Sequence, residues 1–292
     1  MPCAKTAACW CSTRERLPLL EAQRSTEGLD TVRVLILGDV VGKPGRRVVR
    51  AAVPRLRRDR DLDLVVVNAE NAAGGNGLTH EVADELLASG IDVLTSGNHI
   101  FDKSEVLSFI DDVPILLRPL NYPPGTPGRG AAVVEARDGT AVAVLNVSGR
   151  AFLPQSYDDP FRGIDAALAA LPPVGAVIVD VHAEATSEKV ALGWYLDGRA
   201  SLVVGTHTHV QTADEWILPQ GTGYLTDLGM CGPYRSVIGV RTDLVLEKFL
   251  TQRPVRFETA TGPAQLCGLI ATIESGRTVS LERLYEREPS GG

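Results

Sequence analysis

The 292-residue chain has no cysteine framework, no surplus of basic residues and no long apolar run. Its cysteines number five, an odd count, with Cys3, Cys9 and Cys11 crowded at the start and Cys231 and Cys267 isolated. A disulfide scaffold is therefore not expected, and a reducing, cytoplasmic setting is. The 29 Lys and Arg against 36 Asp and Glu give a formal charge of -7. That balance excludes a protein that coats long nucleic acid through many phosphate contacts, although a bound dication would reverse the local field for a small anion. No stretch approaches the roughly eighteen consecutive apolar residues of a membrane span. Within the first thirty residues, Arg14, Glu15 and Arg16 arrive before any apolar core of a signal peptide has formed. Residues 1–30 are expected to be a disordered leader, and residues 31–288 a single domain.

What is present is a repeated alternation of short apolar runs and helical stretches. The runs Val32 to Gly38, Leu62 to Val67, Ile91 to Thr95, Ala176 to Val181 and Leu202 to Gly205 read as buried strands. The segments 45–59, 79–89, 103–111 and 185–196 read as helices. Such alternation predicts an α/β fold with covered sheets. Two places break it. Asp138-Gly139 between apolar runs at Ala131 to Val147 signals a hairpin, and Glu274-Ser275-Gly276 separates two strand-like runs in the tail. The Pro- and Gly-rich stretch from Asn121 to Gly130 reads as a long loop.

The polar residues that close the apolar runs carry the functional signal. Asp39 follows the first run; Asn68, Glu70 and Asn71 follow the second; Gly97-Asn98-His99 follows the third. Asp180-Val181-His182 and Gly205-Thr206-His207-Thr208-His209 close two more. In α/β sheets ligands bind outside the carboxyl ends of strands, so these residues are expected on one rim. A lone Asp after a strand is often a helix cap. Two histidines at alternate positions, expected to face one side of a strand, point instead to metal ligation. Imidazole, carboxylate and amide oxygen together suit iron, manganese or zinc better than calcium or magnesium. There are enough such residues for two ions, which could share a carboxylate and clamp a phosphoryl group while acidifying a bound water. His80 stands apart at a helix start and is read as a surface residue.

Taken together, the motifs resemble those of the calcineurin-type metallophosphoesterases, and of their YmdB-like branch in particular. Gly97-Asn98-His99 is the family's intact motif. Asp39 is followed two places on by Val41 where the wider family has His, and the second motif reads Asn68-Ala69-Glu70-Asn71. Both departures are themselves the pattern of the branch. So are Gly38-Asp-Val-Val-Gly-Lys-Pro-Gly-Arg46, His182-Ala-Glu-Ala-Thr-Ser-Glu188 and Thr206-His-Thr-His-Val-Gln-Thr-Ala-Asp214.

The resemblance implies a sandwich of two packed mixed β-sheets flanked by helices, holding a binuclear metal centre, of iron first, with manganese or zinc as alternatives. It implies that Asp39, Asn71 and His209 hold one ion, that Asn98, His182 and His207 hold the other, and that Glu70 bridges them. His99 would be the proton donor in hydrolysis of small cyclic nucleotides by a metal-activated hydroxide, the 2′,3′-cyclic forms first and the 3′,5′-cyclic forms also in range. The family often has Thr-Trp where Ile100-Phe101 precede Asp102 here. Asp102 is expected either to hydrogen-bond His99 or to cap the next helix, and Arg129 either to meet the substrate or to be solvated. Substrate choice is assigned to the loops Asn121 to Gly130 and Leu228 to Ser236. Self-association is a further expectation of the resemblance. Two other readings stay open at this point: the same chemistry on phosphomonoesters, as in a nucleotidase or a phosphoprotein phosphatase, and a non-catalytic regulator that binds a nucleotide or a protein.

Overall fold

The computed structural model describes residues 31–289, so the expected leader lies outside the described residues. Along the chain the elements are β1 (Thr31–Leu37), β2 (Asp39–Val40), α1 (Gly42–Asp59), β3 (Leu64–Asn68), α2 (His80–Leu87) and β4 (Val93–Thr95). Then come β5 (Ala131–Glu135), β6 (Ala141–Ser148), α3 (Pro160–Ala170), β7 (Ala176–His182), α4 (Thr186–Tyr195) and β8 (Leu202–Thr206). The last are β9 (Trp216–Ile217), β10 (Gly223–Leu225), β11 (Met230–Pro233), α5 (Thr242–Thr251), β12 (Ala264–Glu274) and β13 (Arg277–Arg287).

Two mixed sheets result. In one, β1 pairs parallel with β3 and antiparallel with β12, and β4 continues parallel beyond β3. β13 runs along the other edge of β12, and β11 joins β12 to β2. In the second sheet the order is β5-β6-β7-β8-β10-β9, with β6, β7, β8 and β10 parallel and antiparallel strands at both edges.

The period-two alternation of each strand decides what it packs against. Val32, Val34 and Ile36 of β1 meet Val144, Ile178 and Val204 between the sheets. Leu35 and Leu37 face the other way, onto Val49, Val53 and Leu56 of α1. Likewise Val179, Val181 and Val203 pack on Ile164 of α3 and Leu192 of α4. The result is the expected sandwich, two sheets covered outside by helices. β3, β4 and β8 are buried on both faces, which is why their runs read as continuous rather than alternating.

Both hairpins form where expected. β12 and β13 turn through Ser275 and Gly276, both at positive φ (49° and 79°), the geometry that suits the right-handed twist of paired strands. The Asn121–Gly130 loop is held from below by Arg118, which donates to the carbonyls of Pro119, Thr126 and Pro127 at 2.8, 3.1 and 2.9 Å. The helix expected over 103–111 is replaced by a 3₁₀ stretch, Ser104–Ser108, followed by turns. Tight turns already send Val106, Phe109 and Ile110 into the core, so no longer helix is needed to bury them. The short strands β2, β9, β10 and β11 and the helices α3 and α5 have no counterpart in the sequence reading. Among the described residues, no helix is long and apolar enough to cross a membrane.

Candidate metal centre

Parallel strands deliver their carboxyl ends to one rim. Gly38 and Asp39 follow β1, Glu70 and Asn71 follow β3, and Asn98 and His99 follow β4. His182 ends β7, and His207 and His209 lie just past β8. Two trios gather there: Glu70, His182 and His207 in one, Asp39, Glu70 and His209 in the other, with ligand atoms in each within 4.8 Å of one another. Glu70 belongs to both. Asn98 Oδ1 lies 2.9 Å from His182 Nε2, and Asn71 Oδ1 3.2 Å from His209 Nε2. All seven residues assigned as ligands from the sequence are thus brought together.

The two histidines of Thr206-His207-Thr208-His209 arrive by a route other than the one expected. β8 ends at Thr206, and His207 and His209 adopt positive φ (97° and 66°) instead of alternating along a strand. The left-handed backbone, rare for residues with a Cβ, turns the two rings to different trios. Thr208 between them is clamped by Asp227, which accepts from its N at 3.2 Å and its Oγ1 at 2.7 Å. Asp227 in turn accepts from Lys189 Nζ at 2.6 Å, both side chains being 1% exposed. Gly97 is required for another reason: a Cβ there would stand 2.3 Å from Glu70 Oε2 and from His182.

The remaining ring nitrogens show what the centre is built to hold. His207 Nε2 lies 3.2 Å from Glu184, His182 Nδ1 is 3.0 Å from Thr206 Oγ1, and His209 Nδ1 is 2.8 Å from the carbonyl of Ile238. Thr206 gives its own proton to Asp180, at 2.7 Å. In the neutral form that ligates a cation, each imidazole would donate outward and turn a bare nitrogen inward. Inside, acceptor faces acceptor: His182 Nε2 and His207 Nδ1 are 3.1 Å apart. Asn71 presents its oxygen because its Nδ2 is committed to Gly75 O. Asp39 Oδ1 is buried with no hydrogen-bond partner among the described residues. Lone pairs converging in a buried site require a positive charge between them, so the donor set fits a pair of cations.

The titration directions follow from the same crowding. Burial pushes Asp39 up to about 6 and His207 down to about 3. For Glu70 and His182 burial opposes charge, but each stabilises the other's ionised form at 3.2 Å, which holds Glu70 at about 2 and His182 at about 9. Beneath them Asp180, Asn68, Thr95 and Thr206 form a buried hydrogen-bonded bridge between the sheets.

His99 stands at the edge of the centre. Its backbone N donates to Glu70 Oε2 at 3.2 Å, and its Nδ1 meets Asp102 Oδ2 at 2.7 Å. Asp102 also accepts from Asn76 and caps no helix, since the following 3₁₀ stretch has Lys103 at its N-cap. Arg129 is half-buried, with Nη2 3.5 Å from Asp111 O, and His80 is exposed on α2 beside Phe109. Of Leu228 to Ser236, expected as a substrate loop, residues 228–233 are buried and Met230–Pro233 forms β11, which leaves Tyr234, Arg235 and Ser236 at or near the surface. The sequence reading missed Glu184, Thr206, Lys189 and Asp227. Glu184 lies inside a motif already singled out, whereas Lys189 on a helix gave no sign of being buried.

Mixed sheets packed as a sandwich, with carboxylates, amides and imidazoles gathered at the strand ends, define a phosphoesterase-type α/β protein. The chain belongs to the YmdB-like family, whose model, described as YmdB-like protein, matches residues 35–284. It is 50% identical over 256 residues to the 2′,3′-cyclic-nucleotide 2′-phosphodiesterase of Bacillus subtilis (strain 168), covering 87% of this chain and 96% of that one. A putative phosphatase/phosphodiesterase of Mycoplasma genitalium is 34% identical, over 88% of this chain and 93% of that one. Among solved structures, a hypothetical protein from Thermus thermophilus superimposes with a TM-score of 0.84 at 46% identity, covering 88% of this chain and all of that one. A phosphatase from Mycoplasma pneumoniae gives 0.84 at 32% identity, over 89% and 95%.

Proposed function

We propose that the protein is a metal-dependent phosphodiesterase that opens 2′,3′-cyclic nucleotides. The observation that carries this reading is the pair of trios joined at Glu70, with His99 fastened to the same carboxylate. Asp39, Asn71 and His209 would hold one cation, Asn98, His182 and His207 the second, and Glu70 would lie between them. The oxygen and imidazole donors, with no thiolate, suit iron, with manganese or zinc as alternatives. Bound there, two such ions supply Lewis acidity towards a phosphoryl group and acidify the water that attacks it.

The chain's own groups account for the rest. Opening a cyclic diester expels a ribose oxygen, which needs a proton as the bond breaks. His99 would give it from Nε2, its Nδ1 being taken up by Asp102 at 2.7 Å. Asn76 steadies Asp102 at 3.0 Å. The product is a phosphomonoester, expected as the nucleoside 3′-phosphate, the bond broken being the one named for the Bacillus relative. The 50% identity to that enzyme supports the choice of substrate.

The test is turnover of a panel of 2′,3′-cyclic nucleotides, 3′,5′-cyclic nucleotides and simple phosphomonoesters by chelated protein restored with iron or manganese. Preference for the 2′,3′-cyclic compounds is expected. Preference for monoesters would keep the metals and discard the substrate. Two bound metals with no turnover of any compound would make the protein a regulator.

A further inference from the structure

Between β6 and α3, residues 149–155 run over the rim of the metal centre. Both ends of this loop are fastened to the backbone of candidate ligands: Gly149 N donates to His182 O at 3.0 Å, and Gln155 Nε2 to Asn98 O at 3.1 Å. Glu188, in the first turn of α4, accepts from Arg150 N at 3.0 and 3.1 Å and from Ala151 N at 3.0 Å. Gln155 Oε1 is buried with no partner among the described residues.

At the apex stands Phe152, 87% exposed and with a φ of 64°. Neither property serves the fold. A phenyl ring in water returns no burial energy, and a bulky residue in the left-handed region carries a steric cost that glycine would not. Strain of this kind persists only where the surroundings enforce it, and here the carboxylate of Glu188 and the two end anchors do so. Three residues span at most about 11 Å, so Phe152 lies within that reach of both Gly149 and Gln155.

We propose that Phe152 is the platform on which the nucleobase of the substrate stacks. This rests on the cyclic-nucleotide reading. With the phosphate at the metals and the leaving ribose oxygen against His99, the sugar sits beside Asn98, and the base projects towards the loop that Gln155 ties to Asn98. An exposed ring on a pre-ordered loop offers a face to any base and reads no hydrogen-bonding edge. The enzyme should therefore accept all four bases, with purines favoured by their larger face.

The experiment compares metal-loaded wild-type protein with Phe152→Gly and Phe152→Trp on 2′,3′-cyclic AMP and on a base-free diester, glycerol 1,2-cyclic phosphate. Phe152→Gly should lower kcat/KM for the nucleotide roughly tenfold, mainly through KM, and change the base-free diester by less than about twofold. It should not lower Tm, since glycine relieves the backbone. Phe152→Trp should retain nucleotide turnover. Equal losses on both compounds, or none on the nucleotide, would overturn the assignment, as would a loss that tracks a change in oligomeric state. Wild-type protein inactive on the nucleotide would instead remove the cyclic-nucleotide reading itself.

Discussion

Lys189→Met tests how the left-handed turn that carries His207 and His209 is held in place. The pair Lys189–Asp227 is 1% exposed on both sides, and its 2.6 Å contact is the one hydrogen bond that Lys189 Nζ makes to a described residue. Breaking a buried ion pair by removing one partner costs about 3–5 kcal/mol, because the other charge is left uncompensated. The two ends of this pair are not equivalent. Asp227 keeps donors in Thr208 N, Thr208 Oγ1 and Gly229 N after Lys189 is removed, the last at 2.8 Å. Lys189 Nζ keeps no hydrogen-bond partner among the described residues after Asp227 is removed. Lys189→Met should therefore fall near the low end, about 3 kcal/mol, and Asp227→Ala near the high end, about 5 kcal/mol. Asp227→Ala should also lose more bound metal, since it frees Thr208 between the two histidines. Urea denaturation at constant m-value, with metal content measured in parallel, reads both effects. A cost below about 1 kcal/mol for Lys189→Met, or the reverse order of the two variants, would refute the argument.

Three further outcomes follow from the same geometry. Glu184→Gln, which weakens the outward partner of His207 at 3.2 Å, should reduce metal affinity about 10- to 100-fold by metal titration. The stability of the metal-free protein should stay within about 0.5 kcal/mol, because that side chain is 49% exposed. His99→Ala should keep its metal content and lose roughly 10²- to 10⁴-fold in kcat, the contribution of a positioned acid; loss of metal instead would make His99 a support for Glu70. Burial pushes the Cys267 thiol up to about 12 and Cys231 well above its usual value, so neither should be alkylated in native protein at pH 8, as peptide mass mapping would show.

The strand ends were legible because the buried parallel strands carry few polar residues, Asn146 in β6 and Asp180 in β7 among them, so the Asp, Asn or His that closes a run stands out. Asn71 and Asn98 stood out at the strand ends, but their place as ligands came only through the resemblance, since an amide after a strand is more often a cap or a turn. What stayed hidden depends on contacts across the fold. Lys189 lies in a segment read only as a helix, and it is the approach of β8 and the Asp227 loop that makes its position dry. The left-handed turn at His207 and His209 carries no glycine to announce it. A two-residue strand such as β2 is shorter than any period that could reveal it. Phe152 reads as one apolar residue in a loop; its exposure and backbone angle exist only in the folded chain.

The most direct measurement is hydrolysis of 2′,3′-cyclic AMP as metal is returned to chelated protein, with bound metal counted at each step. Turnover should be absent in the chelated protein and rise with metal bound, saturating near two ions per chain. Turnover that survives full removal of metal, or two bound ions with no turnover, would contradict the assignment of this centre to cyclic phosphodiester hydrolysis.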